Sequence, residues 1–130
     1  MNYSIRFVSM SQVVGIIGAS DKPDRYAYLA AESLEKHGHQ VLLVNPFKES
    51  IHGKLCLKHI GESTVPVDTV TIYVNAERFK NHLDSIIESK PKRIIFNPGA
   101  ESQESYETLE KNGIGVVEAC TLVMLNTGQF

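Results

Sequence analysis

An α/β domain built on a doubly wound, mostly parallel sheet is what this sequence predicts, and three observations predict it. Short runs of apolar and β-branched residues alternate with helical patterns along the chain. Strand, helix, strand in repeated order means parallel strands joined by right-handed crossovers. The strand runs are nearly continuous in apolar residues, as expected where helices cover both faces of a sheet.

Five strands are expected. Val13-Val14-Gly15-Ile16-Ile17-Gly18 is the first run and Val41-Leu42-Leu43-Val44 the second. Val67 to Val74 is the third, Arg93-Ile94-Ile95-Phe96 the fourth, and Ile114 to Val117 the fifth. Helices fit between them. From Tyr26 to His37, the residues Tyr26, Leu29, Ala30, Ser33 and His37 fall on one stripe, and Gly38 ends the helix. From Ala76 to Ser89 the stripe is Ala76, Phe79, Leu83, Ile86 and Ile87, closed by Pro91. From Ser102 to Lys111, Tyr106 and Leu109 make a thinner stripe before Asn112-Gly113. The segment Pro46 to Pro66 is the least regular. Its apolar residues Ile51, Leu55, Leu57 and Ile60 suit a short strand or one helical turn. The sum is a Rossmann-like sheet of five strands with helices on both faces.

Composition bounds the rest. The chain has 130 residues, 42% hydrophobic and 22% charged, which suits one compact domain. A domain of this size buries roughly two-thirds of the surface its unfolded chain exposes, so its core needs no covalent staples. Thirteen basic and fifteen acidic residues give a net charge of −2. That is not the footprint of a general nucleic-acid or membrane-surface binder, although local cations can still meet a phosphate-rich ligand. Cys56 and Cys120 are too few for a disulfide framework, and their spacing is not that of a zinc site. A reducing, cytoplasmic setting is expected. No apolar run approaches the ~20 residues that span a bilayer. Met1 to Gln12 lacks the apolar stretch and cleavage site of a signal peptide. It is expected as an N-terminal extension (1–12) outside the core fold, with Met10 suited to be a start, followed by one domain at 13–130.

Ligands of doubly wound sheets sit outside the carboxyl ends of the strands, where strand order reverses. The residues just after each strand therefore carry the functional reading. Gly18-Ala19-Ser20-Asp21 follows the first strand and precedes the first helix. Small residues there let a ligand approach the backbone, and the helix aims free N–H groups and its positive end at the loop. Ser20 adds a hydroxyl, and Lys22 and Arg25 add charge. The plainer reading is a tight turn with Asp21 or Asp24 capping the helix. A dinucleotide cofactor fits poorly. The G-x-G-x-x-G pattern is absent, with Asp21 where the third glycine might fall. An NAD site also wants an acidic residue at the end of the second strand, and the chain there reads Val44-Asn45-Pro46-Phe47-Lys48. A lysine in that place suits a phosphorylated ribose, as in NADP or coenzyme A.

At these residues the sequence resembles the small stand-alone coenzyme A-binding domains, which are related to the N-terminal domain of the succinyl-CoA synthetase alpha subunit. The resemblance runs from about residue 13 to 125 and rests on Val14 to Ser20 with Asp21, Lys36-His37-Gly38-His39, Val44-Asn45-Pro46, Ile51-His52-Gly53, Val67-Asp68-Thr69-Val70, Asn97-Pro98-Gly99-Ala100 and Glu118-Ala119-Cys120. It implies that Gly18-Ala19-Ser20 cradles a pyrophosphate, and that Lys48 faces the phosphorylated ribose. By the same resemblance, Tyr73-Val74-Asn75 flanks the adenine or pantetheine, and Pro98-Gly99 lines the pantetheine path. Phe96 and Asn97 replace the usual Trp and Gln, and Glu118-Ala119 stands for the usual Asp-Arg. The synthetase's second domain and its ATP-grasp partner have no counterpart in these 130 residues, so the resemblance implies ligand binding rather than ligase activity.

Other chemistry is weakly signalled. His37 and His39 bracket Gly38, while His52, His59 and His82 are scattered, so no metal site is expected. Cys120 lies at the ligand edge, where a thiol can exchange with that of CoA, but burial is the commoner fate of a free cysteine. Glu101 and Glu118 share that edge without a neighbouring nucleophile. No catalytic residue is assigned. The expected function is non-catalytic binding of coenzyme A or an acyl-CoA, as carrier, sensor or accessory to a separate enzyme subunit. The alternatives are an enzyme acting on a CoA thioester and an NADP-binding domain. The expected partner is a small nucleotide ligand, with neither nucleic acid nor membrane, and a free sheet edge leaves room for a homodimer.

Overall fold

The computed structural model describes residues 11–130. Seven strands form one sheet: β1 (Val13–Ile17), β2 (Gln40–Val44), β3 (Ser50–Ile51), β4 (Lys54–Leu57), β5 (Thr69–Ile72), β6 (Arg93–Phe96) and β7 (Gly115–Glu118). Their order is β3-β4-β2-β1-β5-β6-β7, and every neighbouring pair is parallel except β3 with β4. The helices are α1 (Tyr26–Lys36), α2 (Ala76–Phe79), α3 (Leu83–Ser89), α4 (Tyr106–Lys111) and α5 (Thr121–Asn126). The fold is Rossmann-like, as expected, but the sheet has seven strands and not five. The two extra strands come from the irregular segment: a hairpin turning at His52-Gly53, both at positive φ, sets β4 beside the end of β2.

Alternation along β1 shows why the sheet is covered on both faces. Val14 and Ile16 enter one core with Ala27 and Leu34 of α1 and Leu125 of α5. Ile17 enters the other with Phe79, Ile86 and Leu109 of α2, α3 and α4. Gly15 lies on that second face, where an added Cβ would stand 2.6 Å from Ile60 Cδ1 and force that side chain to shift.

Four local expectations are corrected. The buried stripe of α1 is Ala27, Ala30 and Leu34, whereas Tyr26 and Leu29 are exposed. Small alanines let the helix lie close to the sheet, which turns the larger neighbours outward. The expected helix Ala76 to Ser89 is broken. Bonds from Asn81 N–H to the Arg78 carbonyl (3.1 Å) and from His82 N–H to the Phe79 carbonyl (2.9 Å) tighten the chain between α2 and α3. Ser102 to Lys111 opens with a 3₁₀ turn, Gln103–Ser105, before α4. Neither Asp21 nor Asp24 caps α1: its N-cap is Arg25, and no side chain among the described residues caps it. The helix α5 adds to what periodicity predicts. Most of the proposed extension lies outside the described residues. Within it, Gln12 N–H donates to His39 Nδ1 (3.0 Å), and the Gln12 side chain accepts from Thr69 Oγ1 (2.6 Å).

Candidate functional site

Strand order reverses about β1, because the chain leaves it for β2 on one side and returns to β5 on the other. Two adjoining clefts open there, at the carboxyl edge. The first, about 420 Å³, is walled by the ends of β1, β2 and β5 and by α2. The second, about 280 Å³, lies between the ends of β1, β5 and β6. Gly18, Ser20, Arg25, Tyr73, Val74 and Asn75 line both. Ala19, Lys22, Asn45, Pro46 and Lys48 line the first, and Pro98 and Gly99 the second. The thirteen candidate binding residues thus all line these two adjoining clefts, whereas Glu101, Glu118 and Cys120 line neither.

Gly18 sets the base of the groove. Its φ is +93°, and an added Cβ would fall 2.8 Å from Val74 Cγ1 and 3.2 Å from the Tyr73 carbonyl, so β1 and β5 approach closely only because it has none. The N–H groups of Gly18 and Ala19 donate to the Val44 carbonyl at 2.9 and 3.1 Å. Two of the three amides expected to cradle a pyrophosphate are therefore spent on holding the loop. The free donors lie further on. Tyr26, Ala27 and Tyr28 N–H have no partner among the described residues, and neither does Ser20 N–H. The Ser20 hydroxyl accepts from Lys22 N–H (3.1 Å), which folds the turn over the helix end.

Asn45 fastens this loop to β2. Its amide nitrogen donates to the Ala19 carbonyl and its amide oxygen accepts from Phe47 N–H, both at 2.9 Å. These two bonds spend one of its amide N–H donors and one oxygen lone pair on scaffolding. The turn it makes displays Phe47, whose ring is 79% exposed, and Lys48. Lys48 Nζ stands 3.4 Å from Asp21 Oδ2 across the mouth of the groove. Partial desolvation works against the Asp21 carboxylate, but the hydrogen bond and charge of Lys48 outweigh it and hold the carboxyl below its usual value.

The charge of the first cleft is lopsided. Lys22, Arg25, Lys48 and Arg78 line it against one carboxylate, Asp21, in a chain whose net charge is −2. Arg78, Asn81, His82 and Phe47 were not among the expected site residues. Arg78 reaches the cleft from α2, and Asn81 and His82 from the turn between α2 and α3, which a continuous helical stripe does not reveal. A larger hollow, about 570 Å³, lies between α1 and the β2–β4 edge. Glu32, Glu35 and Glu62 line it with one lysine, Lys54, which is bonded to Glu35 at 2.9 Å. That sign of charge repels a polyanion.

The second cleft is floored by a buried polar network. Asn97 beneath it donates to Thr71 Oγ1 (2.6 Å) and the Ile72 carbonyl (2.9 Å) and accepts from Thr121 N–H (2.9 Å). Thr71 and Thr121 hydroxyls meet at 2.8 Å, and all three residues are buried. Burial pushes the nearby Tyr73 phenol up to about 12, so it stays protonated. Glu101 accepts from Gly99 N–H (3.0 Å), and Glu118 accepts from Tyr106 Oη (2.7 Å). The two carboxylates are engaged separately. Cys120 is half-buried at the start of α5, while Cys56 is buried under the end of β2, where desolvation raises its thiol pKa.

Comparison with known proteins agrees with the architecture. A family model described as a CoA binding domain matches residues 12–126. The uncharacterized protein YneT of Bacillus subtilis (strain 168) is 22% identical over 107 residues, covering 82% of this chain and 79% of its own length. A crystal structure of an uncharacterized protein is 43% identical with a TM-score of 0.85, covering 92% of this chain and 98% of that one. The dinucleotide forming acetyl-coenzyme A synthetase 1 of Ca. Korarchaeum cryptofilum, solved with phosphate and ADP, shares the fold at 19% identity and a TM-score of 0.71. The match covers 92% of this chain and 28% of the synthetase.

Proposed function

The chain belongs to the family of CoA binding domains, and on that premise we propose that it binds coenzyme A or an acyl-CoA in the groove at the carboxyl edge, without transforming it. The observation that carries this reading is the clustering of four cations against one carboxylate beside an uncapped helix end. A ligand with several phosphates would gain from both. Its pyrophosphate would lie over Ser20 and the first turn of α1, flanked by Lys22 and Arg25. Lys48 would leave Asp21 to meet the phosphate on the ribose. The pantetheine arm would run along Tyr73, Val74 and Asn75 into the second cleft, past Pro98 and Gly99. The separate engagement of Glu101 and Glu118 supports a carrier, sensor or accessory domain over an enzyme. The setting proposed for it is the cytoplasm, where thiols such as Cys56 and Cys120 stay reduced.

Calorimetry with CoA, dephospho-CoA and NADP tests the reading. CoA should bind more tightly than both, and binding no tighter than that of inorganic phosphate would remove the proposal. Lys48→Ala should erase the preference for CoA over dephospho-CoA. The expected loss is on the order of 1.5 kcal/mol, the low end for a charged hydrogen bond, because Lys48 is partly exposed and gives up a weak pair. Mass spectrometry after incubation with acetyl-CoA reads out catalysis. A stoichiometric excess of free CoA would make this an enzyme acting on the thioester.

A further inference from the structure

The rim of the first cleft holds an arrangement that the phosphate contacts leave unused. Phe47 is 79% exposed and belongs to neither hydrophobic cluster of the described residues, so its ring is accessible to a ligand in the cleft it lines. It is not on a loose loop. Asn45 Oδ1 holds its backbone N–H at 2.9 Å, and Lys48 N–H turns back to the Asn45 carbonyl at 3.3 Å. Across the cleft, α2 is capped by Asn75, whose side chain accepts from Arg78 N–H at 2.9 Å. This fixes the helix that carries Arg78. The Arg78 guanidinium then lies 5.9 Å from the Phe47 ring centroid, and it has no carboxylate partner among the described residues. One face of the ring is thus approached by a cation and the other is open.

We propose that Phe47, backed by Arg78, is the seat of the nucleotide's purine base. The base stacks on the open face of the ring, and Arg78 stays available to a ribose phosphate. Lys48, next in the same turn, contacts the same end of the ligand. This places the adenosine in the cationic first cleft and leaves the narrower second cleft to the pantetheine arm, so the ligand has one direction in the groove. The inference rests on the proposed CoA-binding reading.

Calorimetry on the intact protein and a Phe47→Ala variant tests it with three probes: CoA, adenosine 3′,5′-bisphosphate and 4′-phosphopantetheine. Phe47→Ala should weaken CoA and the bisphosphate by about tenfold or more, the usual size of a lost base–aromatic stack. Phosphopantetheine, which has no base, should bind both forms alike. Phe47→Tyr should restore CoA binding. The exposed ring supports no packing, so thermal melts of both variants should match the parent. CoA binding unchanged in Phe47→Ala would overturn the seat and leave the CoA reading intact. Equal loss for phosphopantetheine would also overturn it, since a missing stack cannot weaken a ligand without a base. Failure of the parent protein to bind CoA at all would overturn both.

Discussion

Gly18 shows how one missing side chain sets the geometry of the groove. The position combines a φ of +93° with backbone and Val74 atoms closer than a Cβ tolerates. Gly18→Ala should therefore destabilise the domain by about 1–3 kcal/mol, the usual cost of a residue held in a disfavoured conformation. It should also push β1 from β5 and weaken ligand binding. Urea denaturation measures the first effect. An unchanged midpoint would mean that the loop relaxes around the methyl group. Asn45 illustrates the opposite economy. Its two side-chain bonds join the first loop to the turn after β2, so it holds the site in shape across 26 residues of chain.

At the scale of elements, α1 begins in a way that disfavours its own stability. Its N-cap is Arg25, its first turn has no acidic residue, and its first N–H groups have no partner among the described residues. Arg25→Ser supplies the missing acceptor and should raise stability by roughly 1 kcal/mol. It also removes a cation from both clefts, so CoA affinity should fall as the melting temperature rises. Parallel changes in the two quantities would argue that the helix end has no part in binding. The short helix α5 shows a different dependence. Its six residues are too few to hold a helix by themselves. It is docked by Leu125 in the core of the α1 face, and by Thr121 bonded to Asn97 and Thr71.

For the molecule as a whole, pH reports on two imidazoles, His39 half-buried and His82 buried. Burial, with His37 and Arg93 nearby, lowers the pKa of His39, whose Nδ1 must be unprotonated to accept from Gln12 N–H. Burial, with His59 nearby, lowers that of His82, which is 4% exposed and whose Nδ1 has no hydrogen-bond partner among the described residues. Both pKa values lie below the 6.5 of a free imidazole, so the unfolded chain takes up these protons first. Stability should be fully present above about pH 6.5 and should fall as the pH drops below it. Denaturation midpoints at pH 7.5 and 5.5 measure the drop, and His39→Gln should make it shallower. A midpoint independent of pH over that range would contradict the lowered pKa of both residues.

The sequence by itself determined the parallel α/β class, the five long strands and the loops at their carboxyl ends. Continuous apolar runs and glycines after strands are local signals, because they record what covers a strand and how tightly it turns. Only the tertiary structure decided the strand order, the two added strands and the rotation of α1 that exposes Tyr26. It alone showed that Gly18 and Ala19 N–H serve Val44, and that Asn81 and His82 come to the groove through a break between two helices. These depend on contacts between residues far apart in the chain. A hydrogen bond across 26 residues, such as Asn45 to Ala19, leaves no periodic trace in either segment.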